Sequence, residues 1–308
     1  MNRKTRNRTG SEAFSGVGSN YRKYATTALK FVITAAALYF VFSKINFSEV
    51  FALYRKANVW FLVAALLLFA GSKVLSSIRL NILFRRIDIP LASLTNMKLY
   101  LIGMFYNLFL PGGIGGDGYK IYLLNKNYDV RAKKILGAVF MDRVAGIVML
   151  WVVALCFLYF VTPPLPYRSW VFAAIPLLLA GLYLGMRWLF RDYVSAYVPL
   201  TLYSIGVQLL QVLCASCILA AFHHSGPDFP YLFLFLISSI VAIIPITVGG
   251  AGAREITFLY GAQFLSVDTH LSVALSLMFY FITVIVSFCG IYFVVRPITF
   301  EKKDSQAF

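Results

Sequence analysis

Pro111-Gly-Gly-Ile-Gly-Gly-Asp-Gly-Tyr-Lys120 recurs 134 positions later as Pro245-Ile-Thr-Val-Gly-Gly-Ala-Gly-Ala-Arg254. The two copies share a proline, an aliphatic residue (Ile114, Val248), a glycine pair (Gly115-Gly116, Gly249-Gly250), a third glycine (Gly118, Gly252) and a basic residue (Lys120, Arg254). Each copy follows an apolar helical run and precedes a shorter one. Proline and glycine together interrupt a helix, and glycine lets backbone or ligand approach closely. Paired interruptions in the two halves of a membrane chain point to a transporter-type site where they meet.

The chain has 308 residues, 60% of them hydrophobic and 13% charged. Soluble domains run near about 45–50% and about 25%. The composition therefore predicts an all-α polytopic membrane protein. A formal charge of +16 invites a nucleic-acid reading, but the basic residues cluster at span ends, where the positive-inside rule puts them. No nucleic-acid partner is expected. Cys156, Cys214, Cys217 and Cys289 lie inside apolar runs and imply no disulfide framework. Cys214-x-x-Cys217 reads as small-residue helix packing rather than a metal or redox motif.

Residues 1–24 predict a disordered basic cytoplasmic tail, and no signal-peptide cleavage site follows the first apolar run. One transmembrane domain is expected over 25–296, with a cytoplasmic tail over 297–308. Its spans are 25–43, 59–79, 135–161, 170–190, 199–222 and 271–295. Lys73 is placed near the cytoplasmic end of the second span, and Arg79, Arg85 and Arg86 mark its exit. Residues 44–58 carry Phe47, Val50, Phe51 and Tyr54 at helical spacing and predict a short interfacial helix. The runs 91–110 and 229–248 are apolar enough to enter the bilayer, but the segments after their glycine motifs are short. Lys126, Arg131, Lys133 and Lys134 would face outside if 91–110 crossed fully. A re-entrant hairpin that returns to the cytoplasm removes that conflict, and 229–266 forms its counterpart from the other face. The expected architecture is about six transmembrane helices plus two oppositely oriented re-entrant helical hairpins, related as an inverted repeat. Both termini are cytoplasmic in this scheme, in the cell (inner or plasma) membrane.

Ionisable groups inside a membrane are costly and mark candidate sites. Here they are Asp117, Lys120, Asp142, Arg143, Arg254 and Glu255. They would either neutralise one another and hold the hairpins in place, or bind a ligand. Asp142 and Arg143 are neighbours on one helix and cannot face each other, so each needs a partner elsewhere. The glycine loops expose backbone N–H groups at helix N-termini, which suit phosphate. With Lys120 and Arg254 beside them, an anionic lipid headgroup is the natural ligand. The acids could take an amine or titrate with a coupling proton. Asn107, Gln208, Gln211 and Thr247 could add neutral hydrogen bonds. Gly113-Ile-Gly-Gly-Asp-Gly118 fits GxGxxG literally, but its flanks are membrane helices rather than a strand–helix unit, and no Walker Lys-Ser/Thr follows. His223-His224 reads as interfacial. No catalytic residue, metal or cofactor is predicted.

At these residues the chain resembles the flippase-like transmembrane domain of lysylphosphatidylglycerol synthases, as a stand-alone member. The family pattern is matched by Asn107, Pro111, Gly112, Gly115, Gly116, Asp117 and Lys120, then by Asp142-Arg143. It continues in Pro245, Gly249, Gly250, Gly252 and Glu255. The family more often has Arg where Lys120 stands, and lysine cannot grip phosphate bidentately. The resemblance covers about 25–296. It implies lipid handling, and the candidate substrate-binding residues are Asn107, Gly112, Gly115, Gly116, Asp117, Lys120, Asp142, Arg143, Gly249, Gly250, Gly252, Arg254 and Glu255. In the family's best-known members this domain moves aminoacylated phosphatidylglycerol between leaflets, and a separate soluble domain makes it. No soluble transferase domain is read here, so no transferase activity is carried over. Other stand-alone members resemble accessory proteins of polyprenyl-linked glycosylation, which leaves the headgroup open.

The resulting expectation is a lipid translocase for an anionic phospholipid or a polyprenyl-phosphate-linked lipid. Two other readings stay open. One is a non-transporting partner that presents lipid to a separate glycosyl- or aminoacyl-transferase. The other is an intramembrane lipid-phosphate transferase, which would need acids converging on a metal or nucleophile.

Overall fold

A computed structural model describes Val32, Ala35, Tyr39, Ser43, residues 47–109, 115–161, 171–244, 252–296 and Ile298. All regular structure among these residues is helical. The expected span 25–43 lies outside them apart from Val32, Ala35, Tyr39 and Ser43, which are helical. The two breaks, at 110–114 and 245–251, also lie outside.

Helix α1 (Phe47–Lys56) is followed by α2 (Val59–Arg85), α3 (Ser93–Phe109), α4 (Gly115–Asn127), α5 (Ala132–Leu158) and α6 (Val171–Leu189). A 3-10 turn (Arg191–Ala196) leads into α7 (Tyr197–Ala221), and α8 (Phe229–Val241), α9 (Ala253–Phe264) and α10 (Thr269–Val295) complete the bundle. Among the described residues, α2, α5, α6, α7 with its preceding turn, and α10 are long and apolar enough to cross a membrane. A span of hydrocarbon has no water to satisfy backbone groups, so helices are the form such runs take. Large apolar side chains stay exposed along these helices, among them Leu67, Leu177, Leu202 and Phe281, because lipid is their solvent. This is a multi-pass membrane protein.

The expected second span ends too early. Helix α2 continues from Arg79 through Leu80, Leu83 and Phe84, all buried, to Arg85. Arg79 therefore lies inside the bundle, and Lys73 lies at the middle of the helix rather than near its end. The short helix expected within 44–58 is α1. It turns Val50 inward and lays Tyr54 on α10, where Tyr54 Oη donates to the Ala274 carbonyl at 3.0 Å. Phe51 faces outward.

Helices α2 and α7 form the central pair, packed along their whole length. They run antiparallel. At one end the Asn58 N–H, which precedes α2, donates to the Ala221 carbonyl that ends α7, at 2.9 Å. Further along, Leu75 meets Gly206, and Arg79 donates to Ser204. The short helices pair as α3 with α4 and α8 with α9; α3 then packs on α10, and α8 on α5.

Two apolar cores result. One gathers Phe69, Leu150, Ile218, Phe235, Phe258 and Phe279. The other gathers Leu83, Leu99, Leu124, Ile135, Met149 and Leu200. A polar layer separates them along α2 (Ser72, Lys73, Ser76, Arg79) and α7 (Ser204, Gln208), and α5 adds Asp142 and Arg143 to it from within its stretch of the second core. The candidate site lies in that layer.

Candidate functional site

Asp142 accepts from Arg79 Nε at 2.7 Å and from Arg79 Nη2 at 2.9 Å, a bidentate pair buried between α5 and α2. Arg79 Nη1 donates to Ser204 Oγ on α7 at 2.9 Å. One guanidinium thus ties three long helices together. A planar donor fork matches a carboxylate in this way, and lysine could not. Arg143, one residue on, points elsewhere: its Nε donates to Asp117 Oδ2 at 2.5 Å. The other Asp117 oxygen accepts from Lys120 Nζ at 3.1 Å, and that ammonium also lies 4.6 Å from the centre of the Tyr100 ring. The two neighbours on α5 find partners on different elements, as their helical spacing requires.

Asn107 Oδ1 accepts the Gly116 N–H at 2.8 Å, across the break between α3 and α4. Asn107 therefore caps α4. Gly116 is needed for another reason: α3 and α4 cross so closely that a Cβ there would overlap the Gly103 carbonyl. Gly115 opens α4 half-buried, while Gly112, Gly249, Gly250 and Thr247 lie outside the described residues.

The second motif is built differently. Gly252 precedes α9 with φ 84°, a left-handed conformation that disfavours any residue with a Cβ. Its N–H donates to Glu255 Oε2 at 2.6 Å, and Glu255 Oε1 accepts from Ser276 Oγ at 2.9 Å. Glu255, 1% exposed, is occupied in closing the helix start, the carboxylate half of a capping arrangement. Arg254 points the other way. Its guanidinium lies 4.7 Å from the Phe279 ring centre and 5.6 Å from that of Phe235. Nη2 donates to Ser239 Oγ at 3.0 Å, while the buried Nε has no hydrogen-bond partner among the described residues.

A cavity of about 570 Å³ opens beside Arg254. Each of four long helices lines it from near its middle, through Lys73, Gly146, Gln208 and Thr283. Asn107 and Leu108 flank the first break along its wall, and Ala242, Ile243 and Arg254 flank the second. A smaller cavity of about 190 Å³ holds Arg79, Asp117, Lys120 and Asp142. The two share Tyr100, Met104, Asn107 and Arg143 in their walls. Five cations and two carboxylates line the joined space, an excess of three positive charges. The larger part holds cations alone: Lys73, Arg143 and Arg254.

Lys73 and Arg79 are the residues that span-end reasoning misplaces. The readable signal is the apolar run Leu80-Asn-Ile-Leu-Phe84 beyond them, which carries α2 past both cations. Among the described residues no group of three or more His, Cys, Asp or Glu could hold a metal.

The sequence profile of the lysylphosphatidylglycerol synthase TM region matches residues 27–197 and 192–290. The chain belongs to that family. It is also similar to a phosphatidylglycerol lysyltransferase of Staphylococcus haemolyticus (strain JCSC1435), at 23% identity over 282 residues. That match takes in 86% of this chain and 33% of the staphylococcal protein, so the chain spans about a third of its relative's length. No solved structure matches it.

Proposed function

We propose that this protein moves a phosphate-bearing membrane lipid between leaflets, its head crossing through the cation-lined cavity while its tails stay in the bilayer. The observation that carries this reading is the excess of positive charge at mid-depth between the flanks of the two helix breaks. Cations at that depth are too costly to keep without a use, and Lys73 and Arg254 have no carboxylate partner among the described residues. The family, and a relative named for phosphatidylglycerol, support a phospholipid as cargo.

The helix order supports the mechanism. Helices α2, α3, α4 and α5 correspond to α7, α8, α9 and α10 as long, short, short, long. Their packing corresponds too: α2 on α7, α3 on α10, and α8 on α5. Corresponding helices α2 and α7 run antiparallel. This is what two re-entrant hairpins related by an inverted repeat would give, with both termini on the cytoplasmic face of the cell membrane. Rocking one half against the other would then open the cavity to each leaflet in turn.

The test is reconstitution in vesicles with head-labelled phosphatidylglycerol and a quencher added outside. Label should move between leaflets faster than in protein-free vesicles. Folded protein that binds the lipid without moving it would replace this reading with the lipid-presenting partner of a transferase.

A further inference from the structure

The carboxylates decide which lipid head the cavity can take. A carboxylate or an aromatic face holds an ammonium most strongly, and among the described residues those at the cavity are already engaged. Asp142 is held bidentately by Arg79. Asp117 is shared by Lys120 and Arg143. Glu255 is turned away, onto Gly252 and Ser276. The unmapped breaks, 110–114 and 245–251, contain no Asp or Glu. The aromatic rings are engaged as well: Phe69 lies under Lys73, 4.4 Å from Nζ to the ring centre, Phe235 and Phe279 lie under Arg254, Tyr100 lies under Lys120, and Phe140 stacks on Phe190.

The cations are not equivalent. Lys120 spends its charge on Asp117. Arg254 is 8% exposed and, among the described residues, reaches a serine hydroxyl with one nitrogen and leaves its buried Nε without a partner. Lys73 lines the same cavity. An anion between Lys73 and Arg254 would satisfy both. Around that point the Gln211 amide offers a neutral donor, while the Ser239 and Thr283 hydroxyls donate to the Phe235 and Phe279 carbonyls.

We infer that the cavity selects a lipid head of net negative charge, with its phosphate between Lys73 and Arg254, and rejects a head carrying a free ammonium. The lysyl ester of phosphatidylglycerol is therefore not its cargo. This inference rests on the lipid-binding reading above and names the substrate class of that site.

The experiment is equilibrium lipid binding by the purified full-length chain in a neutral detergent. The probes are phosphatidylglycerol, its lysyl ester, a polyprenyl monophosphate and, as baseline, phosphatidylcholine. The two anionic lipids should bind at least about tenfold more tightly than the lysyl ester. Lys73→Gln with Arg254→Gln should bring them to the phosphatidylcholine level. Gln211→Glu, which adds a carboxylate to the wall, should narrow the discrimination and draw in the lysyl ester. A lysyl ester that binds wild-type protein as tightly as phosphatidylglycerol, both above baseline, overturns the charge selection alone. No lipid above baseline overturns the lipid site itself, and the selection with it. Inorganic phosphate separates lipid from soluble anion: displacement of phosphatidylglycerol by an equal concentration of it would overturn the assignment to a lipid.

Discussion

Arg79 and Lys73 stand six positions apart on α2 and have opposite electrostatic circumstances. Arg79 donates to both oxygens of Asp142 and to Ser204, whereas Lys73 faces the cavity over a phenyl ring. Removing one member of a buried pair strands the other charge, at about 3–5 kcal/mol. Asp142→Asn should therefore lower stability strongly, read as denaturation of the detergent-solubilised protein. Arg79→Leu with Asp142→Leu should cost clearly less than the sum of the two single changes, since neither charge is left alone. Lys73→Gln should leave the unfolding transition nearly unmoved and weaken lipid binding instead. Equal destabilisation by Lys73→Gln and Asp142→Asn would contradict this division of roles.

At the scale of helices, the glycines of the two motifs do different jobs. Gly116 lets α3 and α4 cross with backbones nearly touching. Gly252 adopts a positive φ to start α9. Gly252→Ala should cost about 1–2 kcal/mol from the left-handed conformation alone. Gly116→Val should cost more, because the Gly103 carbonyl must move, and it should disturb lipid binding through Lys120 and Asn107. Comparing the two variants by thermal unfolding checks the order. Much of this was legible beforehand. Apolar runs bounded by charge placed α5, α6, α7 and α10 to within a few residues, whereas α2 runs on from the expected end at Arg79 to Arg85. Helical spacing required Asp142 and Arg143 to diverge. The misplaced end of α2 has one cause: charge reads as a sign of water. Arg79 reads as an exit from the membrane because its partner lies 63 positions away. The bonds of Glu255 to Gly252 and Ser276 are equally silent in the sequence, because they depend on how α9 meets α10. Pairings over such distances are settled by packing and leave no local mark.

For the molecule as a whole, two apolar cores flank a polar layer, and the antiparallel α2–α7 pair runs through all three. That direction has a direct consequence. Gly71 lies against Leu210, so Gly71→Cys and Leu210→Cys should be joined by a short thiol cross-linker, while Gly71→Cys with Leu200→Cys should not. If the short pairs are re-entrant, cysteines placed at Asn127 and Ser266 should label from opposite faces of the membrane; labelling from one face would contradict the inverted arrangement. The central claim concerns what fills the polar layer. It is tested most directly by native mass spectrometry with lipid identification, wild type beside Lys73→Gln/Arg254→Gln. The account predicts a distinct anionic lipid retained by the wild type and lost from the folded variant. Only bulk membrane lipids, in the same amounts in both, would contradict it and leave the charges as structural ties.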